Sequence, residues 1–155
     1  MPQRAHLLAG ILAPLLVAAF FLATILTELF GSAAAVAQLK SLIVTPGLWL
    51  LVPLMAAAGG SGMFLARSRK GRLVDAKRKR MPLIAANGLL VLVPCAIVLD
   101  RWAAAGSFDT AFYVVQAIEL IAGATNLSLM ALNARDGLRL AGRRTVDGRP
   151  CGARP

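Results

Sequence analysis

Glu119 is the residue whose type and setting could do chemistry, because it is an acid in the middle of a long apolar stretch. Counted from Ala111 on a helix, it lies roughly 12 Å in, near the midplane of a hydrocarbon core about 30 Å thick. Ionisable side chains at that depth are costly and mark functional sites by default. Glu119 also has company: Gln116, Glu119, Gly123, Asn126, Met130 and Asn133 recur at steps of three and four. That spacing gathers them on one helix face. A carboxyl so placed could hold a proton, act as a counter-ion, or donate a hydrogen bond to Gln116 or Asn126.

Two other apolar stretches offer it partners. Asn87 falls at a depth close to that of Asn126, and Ser61 ends the small-residue run Ala56-Ala57-Ala58-Gly59-Gly60-Ser61 before Gly62. The pairs Ala56/Gly60 and Ala58/Gly62 have the small-xxx-small spacing that lets two helix backbones approach. The expected polar site is therefore Ser61, Asn87, Gln116, Glu119 and Asn126. Helix packing is expected at Ala56, Gly59, Gly60, Gly62 and Gly123. Amides also serve as plain adhesive between membrane helices, at about 0.6–2 kcal/mol each, so a packing role stays open beside the functional one.

Other chemistries find little support. His6 is the single histidine, so one chain cannot supply bis-histidine haem ligation, although a dimer could, and Met63, Met81 or Met130 could serve as axial partners. Cys95 and Cys151 are expected at different depths, which argues against a disulfide. Pro14, Pro53 and Pro94 interrupt apolar stretches, as prolines do both in transporters and in inert membrane helices. No phosphate loop, zinc spacing, serine elbow or paired carboxylate is present. The expectation is a non-enzymatic protein without metal or cofactor.

The elements that must position these residues follow from composition. Of 155 residues, 58% are apolar and 15% charged, with a mean hydropathy of +0.71. Ordinary soluble domains are roughly 45–50% apolar and 25% charged. Disorder and a disulfide framework are both excluded, the first by hydrophobicity and the second by having only two cysteines. The chain reads as a single all-α membrane bundle of four transmembrane helices, at about 7–30, 46–66, 82–99 and 110–132. Thr45 and Pro82 mark starts, with Pro46 and Pro82 at first helical positions where a missing N–H does no harm. Residues 31–44, with Val36, Leu39 and Ile43 at helical spacing, read equally as a short interfacial helix or a loop. The first span imitates a signal peptide, but its apolar run of about 20 residues is longer than the usual 7–15 and favours an uncleaved anchor.

Charge then gives sidedness. The net charge is +10. The loop 67–81 carries Arg67, Arg69, Lys70, Arg72, Lys77, Arg78, Lys79 and Arg80, and the tail 133–155 carries six arginines. With Arg4 these make fifteen of the seventeen basic residues, leaving Lys40 and Arg101 for the other side. Positive residues stay cytoplasmic during insertion, so both termini and the loop are expected inside. Trp49, Trp102, Phe108, Phe112 and Tyr113 are expected near the outer interface. The eight loop cations could contact anionic lipid headgroups, each adding about 1 kcal/mol, or simply set topology. Nucleic acid is not an expected partner, because neither an aromatic platform nor a motif accompanies the charge.

With Ala57-Ala58-Gly59-Gly60-Ser61-Gly62, Arg80-Met81-Pro82 and Leu132-Asn133-Ala134-Arg135-Asp136-Gly137-Leu138, the layout resembles small four-helix proteins of the bacterial inner membrane. That resemblance implies a multi-pass protein of this membrane and no activity. Three functions remain in view. The first is an accessory or scaffold subunit that self-associates or docks to a larger membrane complex. The second is a small oligomeric transporter or proton-coupled permeation unit centred on Glu119, and the third is a haem- or quinone-binding redox subunit.

Overall fold

The structure is a computed structural model that describes residues 2–66 and 72–147; side chains at 2–7, 63, 65–66, 72–74, 76–78 and 139–147 lie outside the description. Among the described residues every regular element is helical. The order is α1 (Pro2–Phe30), α2 (Ala33–Leu42), a π-helical segment Ile43–Leu48, α3 (Trp49–Ala66), α4 (Arg72–Asn87), a second π-helical segment Gly88–Leu92, α5 (Val93–Ala104) and α6 (Thr110–Asp147). Four stretches are long and apolar enough to cross a membrane: Leu8–Phe30, Ala33–Gly62, Lys79–Ala104 and Thr110–Leu138. The turns 31–32 and 105–109 share one end of the bundle, here the loop end. The α3–α4 junction lies at the opposite end.

The helix boundaries differ from the sequence expectations in three places. Of residues 31–44, Ala33–Leu42 form the short helix α2, which continues into the second apolar stretch. Ser32 starts it, its Oγ accepting the Ala35 N–H at 3.3 Å. The stretch is broken instead at Thr45, whose φ of −135° and ψ of 108° are non-helical. Pro46 explains the break, since its ring disfavours the helical conformation in the residue before it. Pro82 sits inside α4 rather than starting a helix, and α6 continues to Asp147, beyond the expected end at 132. The second broadened segment, Gly88–Leu92, precedes Pro94, which can neither donate to residue 90 nor fit against its carbonyl.

The loop end is closed by specific caps. α5 finishes with Gly106 at φ +70°, and the Gly106 and Ser107 N–H groups return to the carbonyls of Ala103 and Trp102. Only glycine adopts that conformation without strain, so this is the C-terminal closure that a glycine position provides. Asp109 then opens α6 by accepting the Phe112 N–H at 3.0 Å. Beneath these caps Val36, Leu99, Ala103 and Phe112 are buried together, joined by Trp102, Phe108 and Val115. Phe108 and Phe112 meet edge to face at 4.9 Å. Trp49 does not share this level. It follows seventeen residues after Ser32, roughly 25 Å further along at helical rise, and its side chain faces outward.

Close approach occurs where glycine permits it. A Cβ on Gly47 would stand 2.7 Å from the Phe20 ring and 2.9 Å from the Leu42 carbonyl oxygen. A Cβ on Gly123 would lie 3.1 Å from the Phe21 ring. Phe20 and Phe21 of α1 thus press on the kink and on α6 respectively. Gly47→Val is expected to destabilise the fold by about 1–3 kcal/mol through overpacking. The melting temperature in mild detergent checks this, and Gly60→Ala, which meets open space, should leave it unchanged.

Candidate functional site

α6 turns a polar face into the protein. Gln116, Asn126, Asn133 and Asp136 are buried along it, and Glu119 is nearly so. Each turn of this face meets a partner from another helix, in three separate clusters.

The cluster nearest the loop end is ionic. Lys40 of α2 donates to Glu119 Oε2 from Nζ at 2.6 Å, and Gln116 Nε2 donates to the same oxygen at 3.1 Å. The lysine side chain is 1% exposed and the glutamate 13%. A lysine this deeply enclosed requires a partner, since an unpaired ammonium away from water is expensive. The sequence expectation placed Lys40 outside the bundle as a surface charge. The structure corrects this: α2 packs against α5 and brings Lys40 within reach of α6. Of the roles open to Glu119, the counter-ion is the one this geometry makes explicit.

Two further groups stand beside the pair. Glu28, near the end of α1, lies within electrostatic reach of both Lys40 and Glu119, and its Oε1 is buried without a hydrogen-bond partner among the described residues. Cys95 of α5 is within the same reach. Gln116 Oε1 is likewise buried and unpartnered. Thr24, one turn below Glu28 on α1, is also buried.

Asn87 and Asn126 form the middle cluster. Asn87 Nδ2 donates to the Ala122 carbonyl at 2.9 Å and to Asn126 Oδ1 at 3.3 Å, joining α4 to α6. Gly88 leaves room for this, as a Cβ there would meet Asn126 Nδ2 at 3.7 Å. The third cluster holds Arg80 Nη1 against Asp136 Oδ2 at 2.7 Å, with Arg135 Nε at 3.7 Å from Oδ1. Asp136 is 3% exposed, and Arg80 and Arg135 are among the groups that meet its charge.

The expected five-residue site is thus divided. Gln116 and Glu119 come together, Asn87 and Asn126 come together, and roughly 10 Å of helix separates Glu119 from Asn126. Ser61 bonds back to the carbonyls of Ala57 and Ala58 on its own helix. Of the expected packing residues, Gly123 receives Phe21 and Gly62 is buried, whereas a Cβ on Gly59 or Gly60 would meet nothing and Ala56 faces outward. Among the proposed lipid contacts, Arg80 is engaged with Asp136 and Lys79 is exposed. Arg67, Arg69 and Lys70 lie outside the described residues, as do the side chains of His6, Arg72, Lys77 and Arg78. Among the described residues no three His, Cys, Asp or Glu side chains gather as metal ligands.

Lys40, Glu28 and Asp136 are the residues that sequence reasoning did not place in the site. A signal for Lys40 existed: it stands four residues after Val36 and three before Ile43, both of which are buried with it. Compared with known proteins, the chain matches no family model, no curated protein and no solved structure.

Removing one member of a buried ion pair strands the other. Lys40→Met is expected to cost about 3–5 kcal/mol. The double variant Lys40→Met/Glu119→Gln should recover most of that loss, because neither remaining group carries charge. Thermal unfolding of the native chain, both single variants and the double variant in one detergent measures the coupling.

Proposed function

We propose that the chain is a multi-pass protein of the bacterial inner membrane that acts as a non-enzymatic accessory or scaffold subunit, docking through α3 to a second copy or to a larger membrane complex. The observation that carries this reading is the open space around Gly59 and Gly60. Small residues let helices approach, and here Ala56, Ala57 and Gly60 face away from the rest of the chain. The polar face of α6, by contrast, is taken up inside the molecule. Its links to α2 and α4 favour a stiff module in which α3 packs along α1 and leaves its small-residue face open. The surplus of basic residues at 67–81 and beyond 133 supports termini and loop in the cytoplasm, and a run of cations is suited to anionic headgroups.

A second reading, an oligomeric permeation unit centred on Glu119, is favoured by one specific observation. Lys40, Glu119 and Gln116 sit inside a bundle whose second crossing is broken at Thr45, and broken helices accompany binding sites in transporters. A redox subunit has only His6 and the methionines in its favour.

Native mass spectrometry from mild detergent tests the docking reading. A multimer or a co-purifying subunit is expected from the native chain and should be lost in Gly60→Leu, with unchanged helical content by circular dichroism. An intact assembly in that variant refutes docking through α3. Solute or proton flux in liposomes that vanishes in Glu119→Gln would establish the second reading instead.

A further inference from the structure

We infer that the loop end of the bundle contains a binding site for one positive charge, either a proton or a small monovalent cation, bounded by Glu28, Lys40, Gln116 and Glu119. The first ground is charge. Two carboxyl groups and one ammonium converge from α1, α6 and α2, and the ammonium is committed to Glu119 at 2.6 Å. Neither α3 nor the kinked segment 43–48 carries an ionisable residue, and the α5 group within reach is the Cys95 thiol. The cluster is therefore one positive charge short if both acids are ionised.

The second ground is independent of charge. Gln116 is 4% exposed, its amide nitrogen is fixed on Glu119, and its oxygen Oε1 has no donor. Glu28 Oε1 is buried and lacks a donor as well. A buried acceptor without a donor loses its hydration without replacement. Two such oxygens beside an uncompensated carboxyl call for the same ligand chemistry: something positive that donates to, or coordinates, oxygen. A proton on Glu28 satisfies this by making the carboxyl a neutral donor. A small cation satisfies it by drawing coordination from oxygens that lack a donor among the described residues.

The site does not depend on docking through α3, and it supplies a chemical basis for the permeation reading without requiring transport. Dicyclohexylcarbodiimide, which modifies protonated carboxyl groups in apolar surroundings, is the probe, with the adduct located by peptide mass spectrometry on the full chain in detergent. In choline buffer at neutral pH, modification of Glu28 is expected, with Glu119 protected by Lys40. If added sodium or potassium suppresses the adduct at least several-fold, the ligand is a metal cation; if neither does, it is the proton. In Lys40→Met, modification should extend to Glu119. Should that variant not fold, Gln116→Leu serves, and a weakened effect of sodium or an unchanged proton adduct follows for the respective ligand. Absence of any Glu28 adduct across the neutral range, with and without salt, overturns the site. Persistent labelling without flux in liposomes would remove the permeation reading and leave the site standing.

Discussion

A charged lysine enclosed among apolar helices imposes its requirements on everything around it. Lys40 is 1% exposed, so the arrangement of α2 must deliver a carboxylate to it, and Glu119 of α6 is the one that arrives at 2.6 Å. Desolvating two ions is expensive, and their attraction offsets that expense only at short range with further hydrogen bonds. Gln116 supplies one such bond on the same oxygen. The pair thereby fixes the register of α2 against α6, because a shift of either helix by one residue would separate the charges. The kink at Thr45 belongs to the same constraint. It lets the short helix carrying Lys40 take a course independent of α3, which packs along α1.

The two clusters further along α6 repeat the device at lower cost. Asn87 with Asn126 is neutral, and Arg80 with Asp136 lies where Arg80 keeps partial exposure. Three attachments spaced along one helix resist both sliding and rotation, which dispersion between aliphatic side chains and lipid tails does not. Lipid solvates the outward face as well as protein would, so specificity has to come from polar groups. This explains why a bundle with so much apolar surface still buries asparagine, glutamine, lysine and aspartate. Glu28 Oε1, Gln116 Oε1 and, further along α6, Asn133 Oδ1 are the oxygens that this scheme leaves without a donor among the described residues, and the first two lie near the Lys40–Glu119 pair.

Much of the architecture was legible before any coordinates. The length of the apolar stretches specifies four crossings, and the steps of three and four from Gln116 to Asn133 identify the inward face of α6. The periodicity of an isolated helix carries both facts, so tertiary context was not needed. Residues 31–44 are ambiguous for a physical reason: fourteen residues of small and mixed side chains are too short to announce a membrane segment, and Lys40 among them resembles a surface charge. Ser61 reads as part of the polar site from its place in the small-residue run, but such a run does not specify azimuth, and its hydroxyl bonds back to its own helix. Gly59 and Gly60 were assigned to packing by type, yet a residue type does not reveal which neighbour, if any, uses the space.

Sequence by itself determined the helical class of the protein, its four stretches long and apolar enough to cross a membrane, the asymmetry of its charge and the existence of an acid within the fourth stretch. These depend on composition and on local periodicity. Tertiary structure alone decided that Lys40 answers Glu119, that Asn87 answers Asn126, that Arg80 answers Asp136, and that Glu28 has an oxygen without a donor. Such pairings join residues as far as 79 positions apart. They depend on the relative rotation and depth of helices, which is settled only when all of them pack at once.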